Sequence, residues 1–195
     1  MNDIDLEPAA RRLADLIAAV PDELLDEPTP CPDYRLGDLL EHIDGLALAF
    51  AAAARKDIGE VTARPPSGDT SRLPADWRRR IPQDLLAMAE AWKDPAAWDG
   101  MTQAGGTDLP AGLAGMAGLD ELVLHGWDVA RVTGQEFGCD PASLEVAHNF
   151  VAAFSGPGME EQRRGLFGPS VAVPDGASLL DRVLGLSGRD PGWKP

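Results

Sequence analysis

Residues 111–134, AGLAGMAGLDELVLHGWDVARVTG, decide how the rest of the chain is read. Leu113, Ala117, Leu122, Val129 and Val132 give the segment apolar faces at helical spacing, which predicts one helix over 111–133. Gly134 supplies the left-handed residue that ends it. Glu121 and His125 stand four apart, so both side chains leave one face of that helix. An imidazole nitrogen and a carboxylate oxygen suit zinc or a similar divalent ion. On its own, the pair reads as an ordinary helical Glu–His contact.

Working outward, Leu13, Ile17 and Val20 predict a helix over 8–20, with Pro8 harmless in its first turn. Four prolines make 21–35 a rigid connector. A helix is predicted over about 36–56, carrying Leu39, His42, Ile43, Leu46, Ala49 and Phe50 along one side. Residues 57–76 read as a surface loop, 81–94 as a third amphipathic helix, and 98–110 as an irregular connector. Asp140-Pro141 signals a further helix over 141–154. Residues 155–175 read as loop with a short strand at Ser170–Val173, and a last helix is predicted over 176–187. The expected fold is all-α: a four-helix bundle with a small C-terminal helical extension.

Composition agrees. The chain has 29 Ala and 24 Leu against 10 Val and 5 Ile, a bias toward helix formers over strand formers. With 17 basic and 32 acidic residues, the net charge is −15. That argues against nucleic acid as a partner, because a phosphate backbone needs Lys and Arg density. An anionic membrane surface is disfavoured for the same reason. Two cysteines 108 positions apart, Cys31 and Cys139, form neither a disulfide framework nor a CxxC pair. The opening MNDIDLEPAARR lacks the basic start and apolar run of a signal peptide, and no stretch reaches the roughly 20 apolar residues of a spanning helix. A soluble, cytoplasmic protein is expected.

Of three histidines, His42 lies in the apolar stripe of its helix, where a core imidazole satisfied by a backbone carbonyl is one reading. The other reading joins it to Glu121 and His125, since helical bundles build metal sites from inward ligands on facing helices. Asp128, three after His125, either orients that imidazole or is a solvated acid. His148 reads as half-buried and structural, Trp127 as packing, and Glu41 and Asp44 as solvated. Cys31, in a Pro-Cys-Pro setting, reads as a packed thiol rather than a reactive one. Arg78–Arg80 and Arg163–Arg164 read as solvated surface. No GxSxG elbow, phosphate loop or Rossmann fingerprint occurs.

Three segments carry a family resemblance. TPCPDYRLGDLLEHIDG resembles the N-terminal signature of the mycothiol-dependent maleylpyruvate isomerase-like metal-binding proteins, within the DinB-like superfamily. DELVLHGWDVARVTGQ resembles that group's second signature, and LLDRVLGLSGRDPGW resembles the closing segment of an actinobacterial subfamily. The resemblance implies a DinB-like four-helix bundle over 1–135, with 136–195 as a helical extension packed on it. It implies one divalent ion, zinc or nickel, on His42, Glu121 and His125. Tyr34 stands where that signature often shows Trp.

It further implies a thiol co-substrate, mycothiol or another low-molecular-weight thiol, activated by the metal for S-transfer to a small electrophile or for cis–trans isomerisation. A different class of protein also fits these residues: a non-catalytic bundle that holds metal or a small ligand for sensing, storage or partner recruitment. A metal-free bundle with core histidines is a third reading. Monomer and homodimer are both open.

Overall fold

The computed structural model describes residues 4–195. Its elements run α1 (Glu7–Ala18), α2 (Leu36–Ala54), α3 (Glu60–Ala63), α4 (Trp77–Ala91), β1 (Met101–Ala104), β2 (Thr107–Pro110), α5 (Ala111–Thr133), α6 (Pro141–Ala153), α7 (Glu160–Arg163) and α8 (Leu179–Ser187). The protein is mostly helical, with one two-stranded antiparallel sheet among the described residues.

The long helices form where the apolar spacing asks for them. α1 carries Pro8 in its first turn and buries Leu13, Leu16 and Ile17 on one side. At the start of α2 the Asp38 carboxylate accepts the Arg35 backbone N–H at 3.2 Å, satisfying a donor that has no partner within the helix. α1 and α2 each pack against both α4 and α5, and the core fills the space between them. α6 lies on α5, and α8 lies on α6. Asp140 caps α6 by accepting the Ser143 N–H at 2.9 Å.

From Gly118 to Ala130 every residue of α5 except Glu121 is buried. A helix enclosed on all sides is normally apolar throughout. This one carries Asp120, His125 and Asp128 into the interior, which is the first sign that α5 holds more than packing.

The structure corrects four expectations. Residues 98–110 are not an irregular connector: β1 and β2 pair with Ala104 opposite Thr107, around Gly105 and Gly106. Both glycines have positive φ, 58° and 79°, as a two-residue hairpin turn requires. The third amphipathic helix begins at Trp77, not at 81, with Pro82 inside it. Trp77 is buried and Arg78 donates to the Val20 carbonyl at 3.0 and 2.8 Å, so tertiary contacts hold the earlier turn. The loop over 57–76 contains α3 and a single helical turn at Thr70–Arg72. Residues 170–173 form no strand; Val171 donates once to the Gly185 carbonyl at 2.8 Å.

Candidate metal centre

α2 and α5 pack side by side, and that contact brings His42 to Glu121 and His125. One ligand atom from each residue lies within 4.8 Å of the others. The His125 Nε2 is 2.8 Å from Glu121 Oε2, and the His42 Nε2 is 4.0 Å from the same oxygen. The two imidazole rings meet edge to face, 5.0 Å apart at an interplanar angle of 88°. The His42 and His125 side chains are only 7% and 5% exposed, whereas Glu121 is 36% exposed and marks the open side. His148 lies elsewhere, half-buried on α6.

Behind His125 stands a second set of charges. Its Nδ1–H donates to Asp128 Oδ2 at 3.0 Å. Arg189, from the segment after α8, donates Nε to Asp128 Oδ1 at 2.8 Å and Nη2 to Oδ2 at 2.7 Å. Asp128 is fully buried and Arg189 is 8% exposed. Asp128 is therefore the orienting acid of the two readings, not a solvated one. In front of the site, Tyr34 lies over His42 with ring centroids 5.1 Å apart. The turn that carries Tyr34 is fastened by Thr29, whose hydroxyl donates to the Tyr34 carbonyl at 2.8 Å and accepts the Cys31 N–H at 3.1 Å.

Proton affinities follow from these neighbours. Burial, with the His125 charge second, pushes His42 down to about 4, so it is neutral at pH 7. Burial opposes a charged His125 too, but the carboxylates of Asp128 and Glu121 outweigh it and raise that imidazole to about 9. Burial likewise disfavours the charge on Asp128, yet Arg189 and His125 hold its carboxyl below the usual range. Glu121 is held low by His125, His42 and Arg189 against the same burial cost. Asp120 is different: burial and the Glu121 charge drive its carboxyl well above the ordinary value, and its Oδ1 has no hydrogen-bond partner.

The donor set fits a divalent cation. Two imidazole nitrogens and a carboxylate oxygen are ligands that zinc accepts, with a position left for a further group. A carboxylate on the far nitrogen of His125 is the contact that metal-binding histidines commonly make. The Ser67 backbone meets the buried His42 ring, while 4.0 Å from Nε2 to Glu121 exceeds a hydrogen bond. That leaves Nε2, the nitrogen turned toward Glu121 and His125, without a hydrogen bond of its own.

Several residues read as solvated are engaged instead. Asp44 is buried and paired with Arg80, because its helix face turns toward α4. Glu41 accepts Arg72 Nε and Nη2, both at 2.9 Å, and the Asp69 N–H at 3.0 Å, which fastens the 67–72 loop beside His42. Arg163 donates Nε to the Gly168 carbonyl at 2.7 Å, while Arg164 stays exposed beside Glu161. Cys31 is half-buried and its thiol is pushed up to about 11, chiefly by burial; Cys31 and Cys139 are both free thiols. No spacing rule could have found Arg189, since its partner lies 61 positions away.

Fold and site together define a mostly helical protein with a His/Glu/His cluster of metal-ligand chemistry across two helices. The profile of the mycothiol maleylpyruvate isomerase N-terminal domain matches residues 6–130, and the chain belongs to that family. Two uncharacterized proteins from two strains of Mycobacterium tuberculosis are each 31% identical over 156 residues, covering 74% of this chain and 77% of the relative. No solved structure matches the chain. Among the described residues no helix is long and apolar enough to cross a membrane.

Proposed function

We propose that the chain binds one divalent metal ion, zinc or nickel, through His42, Glu121 and His125, and that it uses the site in thiol chemistry of the mycothiol type. The observation that carries this reading is the convergence of the three ligand atoms within 4.8 Å, with His125 oriented from behind by Asp128. Family membership supports the thiol. In this reading α1, α2, α4 and α5 are the four helices of a DinB-like bundle over 1–135, and 136–195 form an extension packed on it. A cytoplasmic setting and a small electrophile as partner belong to the same proposal.

A divalent ion at this position supplies Lewis acidity and lowers the pKa of a thiol, giving a nucleophile at neutral pH. The chain's own residues do the rest. Asp128 keeps the His125 Nδ1 proton engaged, so Nε2, which without metal holds a proton toward Glu121, is the nitrogen that would offer its lone pair to the ion once that proton is shed. His42, neutral at pH 7, needs to shed no proton to act as a ligand. Tyr34 shields the His42 ring, leaving the Glu121 side as the approach for thiol and electrophile. The reaction is S-transfer or isomerisation of that electrophile.

The test is elemental analysis of tag-free protein purified without added metal or chelator, followed by mycothiol-dependent conjugation and isomerisation assays. About one equivalent of zinc or nickel, with thiol turnover lost on chelation, is the expected result. No metal, and none taken up on titration, overturns the reading.

A further inference from the structure

Arg189 is buried in a chain with few buried cations, and no reading of the site so far gives it work beyond neutralising an acid. Its placement is specific. Gly188 closes α8 with φ 90°, a conformation L side chains rarely adopt, and a Cβ there would come within 2.8 Å of the Gly168 backbone. Only a residue without a side chain lets the backbone turn at that point. The Arg189 N–H then returns to the Leu184 carbonyl at 2.8 Å, and Arg131 on α5 donates to the Trp193 carbonyl. The turn after α8 is thus fastened at both ends, and the guanidinium between them points inward.

At Asp128 the guanidinium makes two charge-assisted hydrogen bonds, one to each oxygen. A bidentate pair fixes the plane of a carboxylate as well as its position. Oδ2 is shared: it takes Arg189 Nη2 at 2.7 Å and His125 Nδ1 at 3.0 Å. The carboxylate plane therefore sets where the imidazole points. Lys at this position would give a point charge without the fork.

We propose that Arg189 is a positioning residue for the metal centre, acting through Asp128 on the orientation of His125. The inference rests on the metal reading above, and it makes the turn following α8 a working part of a site whose ligands all lie between residues 42 and 125. Metal affinity then depends on a residue beyond the segment that the family profile matches.

The experiment measures zinc affinity at pH 7 by competition with a chromophoric chelator. It compares wild type, Arg189→Gln, Arg189→Lys, Asp128→Asn and the double variant Asp128→Asn/Arg189→Gln. Folding of each variant is checked by far-UV circular dichroism. Arg189→Gln is expected to weaken zinc roughly 10- to 100-fold, the usual range for losing an outer partner of a ligand. Arg189→Lys should recover only part of that. The double variant should bind no more weakly than Asp128→Asn alone. Wild-type affinity in Arg189→Gln, or a further loss in the double variant, overturns the proposal.

A second readout needs no metal. In metal-free wild type the His125 Nδ1 proton should be visible by ¹⁵N-edited NMR and slow to exchange, and in Arg189→Gln it should exchange fast. Persistence of the slow proton overturns the proposal. If wild type binds no zinc while this proton behaves as expected, the metal reading fails and takes the role at a metal centre with it, and only the orientation of His125 by Arg189 through Asp128 stands.

Discussion

Asp128 Oδ2 lies 3.0 Å from His125 Nδ1, and this contact fixes which nitrogen of the imidazole faces Glu121. A histidine free to flip would offer either nitrogen to a cation. Here the carboxylate can only accept, so Nδ1 keeps a proton and Nε2 is the atom left to bind a cation in the proposed site. The consequences can be measured.

His125→Ala should abolish metal binding, because it removes one of three ligands and leaves Asp128 facing a void. His148→Ala should leave metal stoichiometry near wild type, since His148 is on α6 and outside the cluster. Elemental analysis of the two variants checks this, and equal loss from both would contradict His42, Glu121 and His125 as the ligand set.

Asp128→Asn should cost both affinity and stability. The amide cannot neutralise Arg189, which would remain buried beside it. Breaking a buried ion pair on one side typically costs about 3–5 kcal/mol, more than the pair itself contributes. Urea unfolding of the metal-free variant should show a loss of that order, and an unchanged midpoint would contradict the pairing.

The metal-free protein should lose stability as pH rises from 6.5 toward 9. His125 faces Glu121, Asp128 and His42, with Arg189 and Asp120 nearby, and its folded value is raised to about 9. A raised histidine contributes fully below its unfolded value of 6.5 and loses that contribution through its folded value. Asp120, whose carboxyl burial and the Glu121 charge raise, acts with the same sign from its unfolded value upward. Each proton difference gives a slope of about 1.4 kcal/mol per pH unit.

Below 6.5 His42, pushed down to about 4, acts with the opposite sign. Its contribution is complete above 6.5 and fades as pH falls, while that of Asp120 grows, so the two oppose each other there. Bound metal requires a deprotonated His125 Nε2, so metal affinity should rise with pH over the window in which the metal-free protein weakens. Thermal unfolding from pH 5 to 9, with and without zinc, tests both limbs; parallel curves would contradict the assignment.

Gly115→Ala should destabilise the fold without touching metal stoichiometry. Its added Cβ would lie 2.4 Å from the Trp98 ring and 2.9 Å from Trp92. Neither ring yields easily: Trp98 Nε1 donates to the Trp92 carbonyl at 2.7 Å, and Trp92 Nε1 donates to the Phe50 carbonyl at 3.1 Å. Overpacking of this kind costs about 1–3 kcal/mol. Urea denaturation checks the size and elemental analysis checks that metal uptake is retained.

Much of the helical layout was legible from spacing. The range of α5, its Gly134 terminus at φ 67° and the Asp140 cap of α6 follow from local rules, because 3.6-residue periodicity and capping are properties of neighbouring residues. The hairpin at 101–110 is also locally encoded, in Gly105-Gly106, whose two positive φ values make a turn where an irregular connector is expected. The early start of α4 was not local at all. Trp77 and Arg78 are helical because the core and the Val20 carbonyl receive them.

The sequence by itself determined that the chain is helical and acidic, and that His42, Glu121 and His125 stand on helix faces able to meet. Periodicity and charge are one-dimensional quantities, and they suffice for that. Only the tertiary structure decided what surrounds the trio: Arg80 on Asp44, Arg72 on Glu41, Tyr34 over His42, and Arg189 on Asp128 from 61 positions away. Those partners depend on how helices cross and where a turn doubles back, and a buried charge takes whichever counter-charge the packing brings within reach.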